Sequence, residues 1–136
     1  MTLLPAGEPP LKSALRLFFA VAMTAMGVAH FVVVDDFARV VPDYLPYPVL
    51  LVQLSGVFEI AGGLGLLIAP VRRLAAWGLV ALYVAVWPAN VYMATHHIPL
   101  GGHEVPTAVL WARLPLQLLF IAAAVWLARD PAPRRQ

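Results

Sequence analysis

LAAWGLVALYVAVWPANVYMAT, residues 74–95, runs for twenty-two residues without one charged side chain. A helix of that length reaches about 33 Å at ~1.5 Å per residue, enough to cross a bilayer core of about 30 Å. Three further runs have the same character, at 14–34, 49–69 and 108–128. Between them lie 35–48, rich in Asp and Pro, the short turn Pro70-Val71-Arg72-Arg73, and 96–107 with Gly101-Gly102, Pro99 and Pro106. Turn-forming residues thus fall at each gap. Continuous apolar runs exclude the alternating segments of about 10 residues expected of a membrane barrel, and helices satisfy their own backbone polar groups inside lipid.

The whole chain of 136 residues is 62% apolar and 12% charged, with mean hydropathy +0.83. No soluble domain of this size has an interior large enough to hide that apolar content. A soluble enzyme, a disordered chain and a nucleic-acid binder are excluded. With no cysteine, so are a disulfide scaffold and any thiolate metal site. The expected fold class is all-α, a polytopic membrane four-helix bundle over 14–128. Short disordered tails are expected at 1–13 and at 129–136, the latter basic.

Four spans put both termini on one side. Lys12, Arg16, Arg72, Arg73, Arg129, Arg134 and Arg135 fall on that side, against Arg39 alone in the two opposite loops. This bias predicts cytoplasmic termini in the cytoplasmic (inner) membrane, with 35–48 and 96–107 facing out. The other reading of the first run, a cleaved signal peptide, fits less well, because the run is long and no small-x-small site follows it.

An ionisable group at the centre of a span costs about 2.5–3.5 kcal/mol on insertion scales, so each one needs a reason. Here they are His30, Glu59 and Arg113, joined by Gln53, Asn90 and Gln117, all toward the outer half. Helical spacing puts Arg113 with Gln117 on one stripe of the fourth span and Tyr83, Trp87 and Asn90 on one stripe of the third. In the second span, Ser55, Glu59, Gly62 and Gly63 share a face. Pro88 and Pro115 each remove a backbone donor and free a carbonyl, of Val84 and of Trp111. Two readings follow. Either Glu59 and Arg113 form an interhelical pair that fixes packing, or His30, Gln53, Glu59, Trp87, Asn90, Arg113 and Gln117 surround a ligand pocket.

The 35–48 loop alternates Phe37, Val40, Val41, Tyr44, Leu45 and Tyr47 with Asp35, Asp36, Arg39 and Asp43. It reads as an amphipathic lid over the outer mouth, or as an aromatic belt anchor. His96, His97, His103 and Glu104 carry zinc or copper(II) donor chemistry, but their spacing matches no tight metal motif, and no metal site is assigned. Met23, Met26 and Met93 read as packing residues.

Five phrases stand in order along the chain: Gly27-Val28-Ala29-His30-Phe31; Val41-Pro42 with Leu45-Pro46; Ser55-Gly56-Val57-Phe58-Glu59; Pro88-Ala89-Asn90-Val91-Tyr92-Met93-Ala94; and Arg113-Leu114-Pro115-Leu116-Gln117. From Met26 to Phe120 the sequence resembles the DoxX-like family of small bacterial membrane proteins. The resemblance implies a four-helix bundle in the cytoplasmic membrane, loosely linked to respiratory quinone reduction, sulfur-compound oxidation and oxidative stress. Relatives that rely on cysteine pairs are no guide to this chain.

Three functional expectations follow. The first is a module that binds a small amphiphile or quinone-like head group, with no intrinsic cofactor evident. The second is a quinone-linked oxidoreductase subunit acting with a partner, in which His30 or Glu59 moves protons. The third is an assembly subunit that docks a membrane-protein partner, or another copy of itself, through Gly56, Gly62, Gly63 and Gly65.

Overall fold

The computed structural model of the protein describes residues 4–129. Among these the fold is all-helical: α1 Pro10–Val32, α2 Val34–Ala38, α3 Pro48–Gly65, α4 Arg72–His96 and α5 Thr107–Ala128. The four long helices are long and apolar enough to cross a membrane, which makes this a multi-pass membrane protein in contact with lipid. α1, α3, α4 and α5 are the four expected spans, shifted by a few residues at their ends. The short α2 lies within the expected lid. The 130–136 part of the expected C-terminal tail lies outside the described residues, as do residues 1–3.

The N-terminal expectation needs correction. α1 starts at Pro10, so residues 10–13, expected in a disordered tail, are helical. Pro10 stands in the first helical turn, where its missing N–H costs nothing and its fixed φ suits a helix. Glu8 then folds back over the helix. Its carboxylate pairs with the Arg16 guanidinium at 2.5 Å and accepts from the Ser13 hydroxyl at 2.8 Å. Arg16 is 0% exposed, so its charge sits beneath the preceding segment rather than on a solvated flank.

Glycine sets the distance between α1 and α3. A Cβ on Gly27 would lie 2.6 Å from the Gly56 carbonyl oxygen, and one on Gly56 would lie 2.8 Å from that of Gly27. Further along the same seam, a Cβ on Gly63 would meet the Ala20 carbonyl oxygen at 2.9 Å. The two backbones touch, which only residues without a side chain permit. Gly62 and Gly65 face α4 and make room there for side chains, those of Leu79 and Ala75. The glycines expected to dock a partner are therefore consumed inside the bundle.

The larger of two buried clusters lies in the half of the bundle nearest the termini. Phe19 and Met23 of α1, Leu66, Leu79 and Tyr83, and Ala124, Leu127 and Ala128 of α5 form one buried cluster. Phe120 joins it edge-on to Phe19, with ring centroids 5.5 Å apart. A smaller cluster caps the opposite end, where Val40 of the 39–47 segment packs on Met93, Ala94 and Leu110. At that end Leu100 and His103 exchange backbone hydrogen bonds across Gly101 and Gly102, whose φ of 58° and 78° suit glycine.

Candidate functional site

α4 and α5 run antiparallel, and each carries a polar residue six positions, about 9 Å, from its end at the loops. These residues, Asn90 and Arg113, meet. Arg113 donates to the Asn90 side-chain oxygen at 3.4 Å and to the Met93 sulfur at 3.0 Å. Asn90 donates in turn to the Gln117 side-chain oxygen. Gln117 is buried, and its amide donates to the Tyr83 carbonyl at 2.7 Å. That carbonyl is one residue before the one expected to be freed by Pro88. Despite Pro88 and Pro115, α4 and α5 each run through as one helix.

Glu59 does not join this network. The carboxylate is 7% exposed, and its neighbour is the His30 ring, with Nδ1 3.2 Å from Oε2. The expected pairing of Glu59 with Arg113 is thus replaced by one with His30. The reason lies in side-chain direction. With Gly27 level with Gly56, His30 and Glu59 start about 9 Å apart along the axis. Side chains tilt toward the N-terminus of their own helix, so in antiparallel helices these two lean toward each other and close the gap. Nδ1 also lies 2.8 Å from the Met26 carbonyl, to which it donates, leaving Glu59 Oε2 without a hydrogen bond among the described residues. The other face of the His30 ring matters too: it stacks on Phe37 of α2, centroids 4.2 Å apart.

Beside the Arg113–Asn90 contact, on the α3/α4 side, lies a cavity of about 370 Å³. Its walls are Leu51, Val52, Leu54, Ser55 and Phe58 of α3, Leu82, Ala85, Val86, Pro88, Ala89, Asn90 and Met93 of α4, and Arg113 of α5. Phe37, Val40, Val41, Pro42 and Leu45 roof it, with Leu100 beside them. The lid expected from the 35–48 alternation is therefore seated over a cavity. Of the seven expected site residues, Asn90 and Arg113 line it. Gln117 supports Asn90 from behind, whereas His30 and Glu59 form a separate pair. Gln53 and Trp87 are half-buried and join neither group by hydrogen bonds. The aliphatic walls were missed as site residues, because an apolar residue facing a cavity carries the same sequence signal as one facing lipid; Ser55, noted on the Glu59 stripe, was not among the seven.

Among the described residues no three His, Asp or Glu side chains gather as a metal site. His96 stacks on Tyr92 with centroids 4.0 Å apart and shares the Tyr92 carbonyl at 3.0 Å, so its ring is engaged on its own helix. Met23 and Met93 do more than fill space, since their sulfurs accept from Tyr83 and Arg113.

A family model described as Domain of unknown function (DUF8561) matches residues 19–128. The chain belongs to the DUF8561 family. The matched stretch contains the glycine seam, the lid and every cavity wall. No curated protein and no solved structure matches the chain.

Proposed function

We propose that this DUF8561 protein binds a bilayer-resident amphiphile, with the polar head or a quinone-like ring held by Arg113 and Asn90. The observation that carries the reading is the cavity: about 370 Å³, apolar on nearly every wall, with two convergent polar side chains. Ligand sites of this kind fall in the range of about 300–1,000 Å³. The seven-to-one distribution of basic residues supports cytoplasmic termini, with the cavity in the outer leaflet of the cytoplasmic membrane. Likeness to the DoxX-like family adds a setting in membrane redox or stress physiology.

Mass spectrometry of lipid extracts from the purified protein tests the reading. The wild type carries a stoichiometric amphiphile that Ser55→Leu, which fills the cavity from α3, loses. Equal amounts on both proteins sink it.

A purely structural reading has its own observation in its favour. The chain Arg113–Asn90–Gln117–Tyr83 carbonyl ties α4 to α5 without any ligand. Under that reading Ser55→Leu leaves every cellular phenotype of a deletion strain complemented, whereas Gln117→Leu does not.

A further inference from the structure

The cavity is roofed toward the loops and open toward lipid. Val40, 8% exposed, is seated between α4 and α5, and Pro42 is buried, so these two anchor the roof, at whose edge Leu45 is 39% exposed. On the side, Leu54 and Phe58 of α3 line the cavity while being 44% and 60% exposed. Ala85 and Pro88 of α4 also line it and are exposed. All four belong to membrane-spanning helices, so the mouth between them faces acyl chains.

Polarity is graded along the cavity. From Met93 to Leu82 it extends eleven residues along α4, about 16 Å, close to one leaflet of a core about 30 Å thick. Arg113 and Asn90 sit toward the loop end. Phe58 and Leu82 mark the deep end. An amphiphile oriented like its leaflet neighbours fits this gradient, with its head beneath the lid and its chain running past Phe58.

The head group follows from the partners of Arg113. Its donors reach a thioether sulfur and an amide oxygen, both neutral, and among the described residues no carboxylate pairs with it. A guanidinium in an apolar wall lacks a counterion, and carboxylate and phosphate match its donor fork. An uncharged quinone carbonyl leaves that charge uncompensated. We therefore propose that the occupant is a single-chain amphiphile with an anionic head, loaded sideways from the bilayer between α3 and α4. This rests on the binding reading above and narrows it to one ligand class and one route.

The test uses the full chain in phosphatidylcholine nanodiscs, titrated with three probes that share one chain: oleate, oleyl phosphate and oleyl alcohol. Both anions are expected to saturate at one per protein and to bind about tenfold more tightly than the alcohol, as a charge-assisted hydrogen bond implies. The tighter anion then identifies the head. Arg113→Gln should reduce the anions to the affinity of the alcohol, and Arg113→Lys should retain the preference. Ala85→Trp, at the exposed mouth, should remove saturable binding of all three with an unchanged thermal midpoint. An alcohol that binds as tightly as the anions, or anion binding indifferent to Arg113→Gln, overturns the anionic class and leaves the binding cavity standing. Undiminished loading of Ala85→Trp overturns the lateral route. The absence of saturable binding by any probe overturns the inference, and the binding reading falls with it only if the purified protein also carries no native amphiphile.

Discussion

The seam between α1 and α3 and the gap between α3 and α4 are built from the two faces of one helix, and they differ in what fills the space between backbones. On one face Gly56 and Gly63 bring α1 into backbone contact. On the other, Leu51, Ser55 and Phe58 stand away from α4 and leave a cavity. Nothing but backbone separates the first pair, so any added atom must move a helix. At the level of the cavity the second pair is held apart, so added atoms have somewhere to go there, whereas Gly62 and Gly65 close on α4 further along.

Substitutions turn that contrast into numbers, read as thermal or denaturant stability in one detergent. Gly56→Val should be the most damaging, at about 3 kcal/mol or outright loss of folded protein, because its side chain meets the Gly27 carbonyl and the His30 Cβ. A mild effect there would show that the seam is plastic. His30→Leu should cost about 2 kcal/mol, since it strips the buried Glu59 carboxylate of its polar neighbour. The double variant His30→Leu/Glu59→Leu should recover most of that loss, and failure to do so would mean that the pair is not the source. Gln117→Leu should cost about 1 kcal/mol, within the range measured for hydrogen bonds between membrane helices. Ser55→Leu, on the cavity side of the same helix as Gly56, should stay within about 0.5 kcal/mol. If Ser55→Leu proved as harmful as Gly56→Val, the contrast between the two faces would be gone.

The same contrast explains what could be read from the sequence. Hydropathy located all four spans, because a bilayer imposes a length and a composition on whatever crosses it. Helical spacing linked Arg113 with Gln117 and singled out Asn90, and these three do meet. The partner of Glu59 was not legible. Choosing His30 over Arg113 requires the axial register of α1 on α3, which the Gly27–Gly56 contact sets and no single helix reveals. The glycines were legible as places of close approach but not by direction. Small size says that a neighbour comes near, not whether the neighbour is another span of the same chain. Nor do aliphatic residues such as Leu51 and Leu82 announce that they face a void. The lid was visible because its alternation of acidic and aromatic residues is unlike either lipid-facing or cavity-facing helix.

Long helices consecutive in the chain pack on one another, α3 on α1, α4 on α3 and α5 on α4, while α1 meets α5 only sparsely. The order of contacts is therefore the order of synthesis. A ribosome adds about 5–20 residues per second, so the α1/α3 hairpin can close its glycine seam while α5 is still untranslated. α4 then adds one wall of the cavity and brings Asn90 to its level. Arg113 is the last charged group within the four long helices to arrive, on α5. The side chain hardest to leave in lipid thus reaches a bilayer in which an amide acceptor is already in place.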